Sequence, residues 1–236
     1  MGIFKHCLSI LQSPQLEVWP NLSKAKTFGF TLYGGTALSL RFGHRKSVDF
    51  DFFSSEPFDE NSNFLQESMP FLYNANIIQK SKNTLSYQTK SGVKISFFGG
   101  ISIGRVGNSD LTEDNVACVA SINDLFGTKL AALFSRIANK DYIDIAELLS
   151  NNIHLEEGIS SLITLYPDLP CNYVLSTLTY FDDIKLSNLS ENIKKIIIQA
   201  VHHVDINKIN KKPIISYNLS NFQANNEINN YLAQTM

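Results

Sequence analysis

Tyr33-Gly34-Gly35-Thr36-Ala37-Leu38-Ser39-Leu40-Arg41-Phe42-Gly43-His44-Arg45-Lys46-Ser47-Val48-Asp49-Phe50-Asp51-Phe52-Phe53 is the segment on which the reading of this chain turns. It continues a β-rich run, Phe28 to Tyr33, that stops at two glycines. Thr36 to Phe42 is expected to form a short helix, and Gly43-His44-Arg45-Lys46 a polar turn. Ser47 to Phe53 then alternates polar and apolar residues with period two, as a half-buried strand does. On such a strand Asp49 and Asp51 project from one face, while Val48, Phe50 and Phe52 face the other. Two carboxylates held this close repel each other unless a cation lies between them. Mg²⁺ suits the pair, because it takes oxygen ligands and uses few protein carboxylates, leaving positions for substrate phosphates.

The residues upstream point to the same chemistry. Gly34-Gly35 stands between a strand and a helix, where bare backbone N–H groups at a helix N-terminus can receive a phosphate. Thr36 is placed to cap that helix or to donate its hydroxyl to the same anion. Arg45 offers a planar guanidinium as a phosphate clamp. Each signal alone is weak. A D-x-D pair often marks only a solvent-facing edge, and Gly-Gly often makes only a turn. Strand, Gly-Gly, helix, basic turn and D-x-D strand in one short stretch form a coherent device for phosphate and metal.

Working outward, Asn61 to Leu72 predicts a helix. Asn76–Gln79, Thr84–Thr89 and Val93–Phe98 predict a three-strand meander turning at Lys90-Ser91-Gly92. Gly99 to Asn108 is glycine-rich and reads as a loop around one short strand. From Ser121 the pattern becomes helical, opening on a capping-box-like Ser121-Ile-Asn-Asp124. On a continuous helix, at about 100° per residue, Lys129, Arg136 and Lys140 share one direction beside an apolar seam of Leu130, Leu133, Phe134 and Ile137. Asn139 is expected to interrupt or end that helix. Asp141 and Asp144 can hold basic side chains in place, or serve as the N-terminal charges of a second helix. Pro167 and Pro170 separate later helices, and Glu191 to His203 is a strong helical candidate. The expected division is an α/β core at residues 1–120 and a helical unit at 121–236.

Bulk properties narrow the function classes. The chain has 236 residues, 44% of them hydrophobic, and 20 basic against 22 acidic side chains for a net charge of −2. That composition suits a folded globular protein and excludes a broadly basic nucleic-acid coat, so any polyanion must be met by a local patch. Cys7, Cys118 and Cys171 are odd in number and widely spaced, which argues against a disulfide framework or a zinc site. No apolar run approaches the ~18–20 residues of a membrane span, and the first residues make a poor signal peptide. A cytoplasmic protein, with no membrane and no disulfide partner, is expected.

Gly34-Gly35-Thr36-Ala37-Leu38, followed by His44-Arg45-Lys46-Ser47-Val48-Asp49-Phe50-Asp51-Phe52, resembles the G-G-T-A-L and H-R-x-S-x-D-x-D-F pattern of the AbiEii/AbiGii abortive-infection toxins. That family lies within the polymerase-β-like nucleotidyltransferases. A third block, Lys129, Ala132, Arg136, Lys140, Asp141 and Asp144, is similar to the family's K-x-x-A-x₃-R and downstream R/K-D-x-x-D. The resemblance implies an α/β (α+β) fold, a nucleotidyltransferase-type mixed sheet with flanking helices followed by a helical bundle. It implies transfer of a nucleotidyl group from an NTP to an acceptor hydroxyl, with RNA (tRNA among the options) as acceptor and a protein antitoxin as partner. Asp49 and Asp51 would be the metal ligands and, with Lys129, the catalytic set. Gly34, Gly35, Thr36, Arg45, Ser47, Lys129, Arg136, Asp141 and Asp144 would bind the NTP. One departure stands out. Many members of the superfamily carry a third carboxylate on a later strand, and Ser96 occupies the best positional match here. The alternative reading is therefore a catalytically degraded nucleotide-binding or protein-interaction module with the same fold.

Overall fold

The computed structural model describes residues 2–221; the end of the expected C-terminal unit, 222–236, lies outside the described residues. The strands in chain order are β1 (Ile3–Phe4), β2 (Thr31–Tyr33), β3 (Asp49–Phe53), β4 (Asn76–Ser81), β5 (Thr84–Gln88), β6 (Lys94–Phe98), β7 (Asp110–Thr112) and β8 (Cys118–Val119). The helices are α1 (Ser13–Val18), α2 (Gly34–Phe42), α3 (Phe64–Ser68), α4 (Ile122–Ala132), α5 (Asn139–Ser150), α6 (Leu155–Leu165), α7 (Val174–Thr179) and α8 (Glu191–His202). The chain is mixed α/β. It forms two compact units, one of residues 2–104, 108–120 and 216–221, the other of residues 105–107 and 121–215. Among the described residues no helix is long and apolar enough to cross a membrane.

The first unit holds the sheet, in the order β1-β7-β8-β2-β3-β6-β5-β4. β3 lies antiparallel to β2 and parallel to β6, while β4, β5 and β6 form the antiparallel meander expected from the sequence. The parallel step from β3 to β6 leaves Asp49 beside Lys94 and Asp51 beside Ser96 on one face. The opposite face is apolar: Phe50, Phe52, Ile95, Phe97, Leu85 and Tyr87 are all buried. Trp19 stacks on Phe50 at 5.8 Å and Phe52 on Phe97 at 5.4 Å, with the Phe30 ring edge-on to Phe97. Aromatic burial on this scale anchors β3 from behind.

Three local expectations are corrected. The strand expected from Phe28 begins at Thr31, because Trp19–Phe28 is a 3₁₀ helix that Gly29 ends in the left-handed conformation, φ +73°. The helix expected over 61–72 is split into α3 and a 3₁₀ turn at Pro70–Asn74. Pro70 supplies no N–H and forces Met69 out of the helical region, φ −128° and ψ 76°. Val48, expected on the buried side, is 53% exposed, since the strand proper starts one residue later at Asp49.

The second unit is helical. Ser121 caps α4 as its sequence suggests: its hydroxyl accepts from the Asp124 N–H at 3.1 Å and donates to the Asp124 carboxylate at 2.6 Å. α4 and α6 pack closely through glycines. A Cβ on Gly127 would lie 2.9 Å from the Ser161 Cβ, and one on Gly158 would lie 2.7 Å from the Phe126 ring. Leu125, Leu130, Ile145, Leu148, Leu162, Leu178 and Ile197 fill the core between the helices.

The single helix expected to carry Lys129, Arg136 and Lys140 does not exist. α4 ends at Ala132, Leu133 to Ser135 tighten into turns with i→i−3 bonds, and Ala138 is extended, φ −151°. Asn139 starts α5 where it was expected to interrupt or end a helix. Lys129 is therefore on α4, Arg136 on the connection and Lys140 on α5. The basic stripe is dissolved into a compact ion-pair cluster.

Candidate functional site

The carboxylate-bearing candidate site is built by the β2–α2–β3 segment. Tyr33 is extended and leads directly into α2 without capping it through its own side chain. The first N–H groups of a helix have no intrahelical partner and favour an anion. Gly34 adopts φ +75°, a conformation that L side chains rarely take. A Cβ there would stand 3.2 Å from Asp51 Oδ2, so the absence of a side chain lets this carboxylate lie against the start of α2. Gly34-Gly35 and Asp51 thus meet at one place, although eighteen positions of chain numbering separate Asp51 from Tyr33, its cross-strand partner.

Thr36 ties the helix to the strand. Its buried hydroxyl donates to the Asp49 backbone carbonyl and is hydrogen-bonded to the Ser47 hydroxyl at 2.7 Å. The Thr36 hydroxyl is engaged by the chain itself, and Ser47 is buried beside it, so both fix the backbone at Asp49. Neither makes a helix cap. At the other end of α2, Gly43 closes the helix at φ +69°, and His44-Arg45-Lys46 crosses to β3. The Arg45 guanidinium is partly exposed and donates to the Lys46 carbonyl at 3.1 Å.

Asp49 and Asp51 alternate with the buried rings of Phe50 and Phe52 and are themselves half-buried. Phe53, on the carboxylate face, stacks on Phe98 at 4.9 Å and meets Tyr33 edge-on at 5.2 Å. Ser96, the register neighbour of Asp51, is buried and accepts a hydrogen bond from the Ser86 hydroxyl at 3.0 Å. The position where a third acid was sought therefore holds a pair of hydroxyls. Among the described residues no group of three or more His, Cys, Asp or Glu side chains converges as a metal cage. Two carboxylates on one sheet face are a donor set that suits Mg²⁺, which commonly takes one or two protein carboxylates with waters and substrate phosphates.

The second-unit residues form a cluster of their own. Lys129 Nζ lies 2.8 Å from Asp141 Oδ1 and 2.7 Å from Asp144 Oδ2, and all three side chains are buried. Arg136 closes a bidentate pair on Asp141, Nε to Oδ2 at 2.9 Å and Nη2 to Oδ1 at 3.2 Å. Burial pushes the Asp141 carboxyl up, but the hydrogen bonds and charges of Arg136 and Lys129 outweigh it and hold it below its ordinary range. Lys140 is exposed. The structure thus brings Gly34, Thr36, Ser47, Asp49 and Asp51 together in one unit, and Lys129, Arg136, Asp141 and Asp144 together in the other.

Sequence reading missed the sheet neighbours of the carboxylates. Lys94 stands beside Asp49 on the same face, and Ser86 supports Ser96. The signal was present: a turn at Lys90-Ser91-Gly92 fixes Gln88 opposite Lys94, and hence Ser86 opposite Ser96.

A family model described as the nucleotidyl transferase AbiEii toxin of a type IV toxin–antitoxin system matches residues 23–168. Over 159 residues, 66% of this chain, the protein is 31% identical to an uncharacterized protein of Aquifex aeolicus, aq_aa25, and covers 75% of it. A crystal structure from H. pylori, described as a candidate nucleotidyltransferase, aligns with a TM-score of 0.49 and 22% identity, covering 80% of this chain and 90% of that one.

Proposed function

Because the chain belongs to the AbiEii nucleotidyl transferase toxin family, we propose that it moves a nucleotidyl group from an NTP to an acceptor hydroxyl, with RNA as acceptor and Mg²⁺ as cofactor. The observation that carries this reading is the seating of Asp51 against Gly34: a D-x-D pair and a helix N-terminus share one location. Asp49 and Asp51 are the residues that would hold Mg²⁺. Bound there, the ion would neutralise triphosphate charge and polarise the phosphoryl group under attack.

This chain's own groups do the rest. The N–H groups at Gly34 and Gly35 hold the β- and γ-phosphates by pointing partial positive charge at them. Thr36 and Ser47 hold the Asp49 backbone, so the carboxylate pair keeps its position when phosphate charge arrives. Arg45 neutralises phosphate from the loop entering β3. Lys129, Arg136, Asp141 and Asp144 match the family's third block, and the Lys129 charge is set against two carboxylates of its own unit. Asp141, held below the usual carboxylate range, is a weak proton acceptor. The acceptor hydroxyl then attacks the α-phosphorus and gives up its proton to solvent water, the bond to the β-phosphate oxygen breaks, and pyrophosphate leaves. The type IV system named for the family supports an antitoxin as the protein's counterpart.

Ser96 beside Asp51 favours one second reading, a module that binds the nucleotide without turnover. Pyrophosphate release separates the two. With total RNA, Mg²⁺ and each NTP in turn, the enzyme releases pyrophosphate and the module binds NTP without releasing it.

A further inference from the structure

The meander β4–β5–β6 is the outer half of the sheet beyond β3, and its charge is one-sided. Between Glu67 and Asp110 the chain contains no aspartate or glutamate, yet Lys80, Lys82, Lys90 and Lys94 all fall within it. Lys80, Lys82 and Lys90 are exposed, and Lys94 is half-exposed. Among the described residues none of the four forms an ion pair. β4 is the edge of the sheet and is exposed along its whole length, with Tyr73 exposed just before it. Four unpaired cations without an intervening acid repel one another and gain by meeting an anion.

Their spacing indicates which anion. Lys80 and Lys82 lie at one end of the β4–β5 hairpin, Lys90 and Lys94 at the other, separated by a five-residue strand of about 16 Å at ~3.3 Å per residue. A single triphosphate, with its phosphates joined through shared oxygens, cannot reach both ends. A backbone of repeating phosphodiesters can. The track also leads somewhere: Lys94 is the register partner of Asp49 and shares its face, one strand away. We infer that the β4–β6 meander is a binding track for the phosphate backbone of single-stranded RNA, leading the acceptor strand to Asp49 and Asp51. Lys82, Lys90 and Lys94 meet phosphates, and Tyr73 offers a ring on which a base can stack; Lys80, level with Leu85, projects from the opposite face at the sheet edge. The inference rests on reading the acceptor as RNA.

The test is binding of a fluorescein-labelled single-stranded oligouridylate, without NTP, across a salt series. It compares the unaltered protein with a Lys82→Gln, Lys90→Gln variant. These two side chains are exposed and unpaired, so the variant folds, which circular dichroism verifies. The expected result is about tenfold or greater loss of affinity, with the slope of log affinity against log salt shallower by about 1.4, since each lost phosphate contact on a single strand removes ~0.7. No binding by the unaltered protein, or equal affinity and slope in both proteins, overturns the inference. So does loss of binding to phosphatidylserine vesicles in the variant with oligouridylate binding intact. Because no NTP is present, failure of nucleotidyl transfer elsewhere leaves this result readable, and the two ideas fail separately.

Discussion

Gly34 carries two demands at once, a left-handed backbone and clearance for Asp51. Gly34→Ala places a side chain at φ +75° and sets its Cβ 3.2 Å from the carboxylate oxygen. The backbone penalty alone is about 1–2 kcal/mol. The expected outcome is that much lost stability in urea unfolding, together with loss of NTP binding measured by calorimetry. Thr36 acts differently, through hydrogen bonds to Asp49 and Ser47. Thr36→Val keeps the shape but leaves buried partners unsatisfied, costing about 1–3 kcal/mol. Thr36→Ser keeps the hydroxyl and should restore most of that stability. Equal unfolding midpoints for the valine and serine variants would contradict the role assigned to this hydroxyl. In the second unit Lys129→Met strips one buried cation from two buried carboxylates, a loss of about 3–5 kcal/mol. Urea unfolding of this variant measures it.

At the scale of elements, the ion-pair cluster gives the α4–α5 corner a pH signature. Asp141 has a folded-state pKa below the unfolded value of 3.8, so its stabilising contribution is complete above that value and is lost as pH falls through the folded one. Asp124 shifts the other way: burial raises its carboxyl, and its contribution declines as pH rises from 3.8 through the folded value. Stability measured by urea across the acid range should therefore fall less steeply below about pH 4 in Asp141→Asn than in the unaltered protein. An unchanged slope would remove Asp141 from the account. The α4–α6 contact is as tight: Gly158→Ala should lower stability by up to about 2 kcal/mol, because overpacking against Phe126, about 1–3 kcal/mol, exceeds the helix-propensity gain of about 1 kcal/mol. Thermal unfolding reads this directly.

What was legible at this scale was what local pattern encodes. Period-two alternation, the turn at Lys90-Ser91-Gly92 and the Ser121 cap all act within a few residues; the turn and the cap are found where expected, and the strand expected over 47–53 is found at 49–53. The break after Ala132 was not legible, because helical periodicity runs on through Arg136 while tertiary pairs from Lys129 and Arg136 to Asp141 stabilise the fold-back. The two- and three-residue strands β1, β7 and β8 were missed for the same reason: pairing makes them strands, and their own length carries no period. Residues 216–221 join the first unit through the Leu219 N–H to Ser55 and the Leu219 carbonyl to Thr31, long-range bonds without a local signal. The carboxylate pair was legible; its companions Lys94 and Ser86 required the register of three strands.

On the scale of the whole molecule, a net charge of −2 conceals strong local polarity. The sheet unit sets two acids on β3 beside a meander that is purely basic, while the helical unit pairs Lys129 and Arg136 internally. Family membership supplies the reaction class, and the proposed place for it is the β2–α2–β3 segment. The most direct measurement is transfer of label from an α-³²P NTP to total RNA in the presence of Mg²⁺, comparing the unaltered protein with the Asp49→Ala, Asp51→Ala double variant. Label on a defined RNA band with the unaltered protein, and none with the folded double variant, is the predicted result. Labelling by the double variant at the unaltered rate would contradict the assignment of Asp49 and Asp51 as the centre of the site.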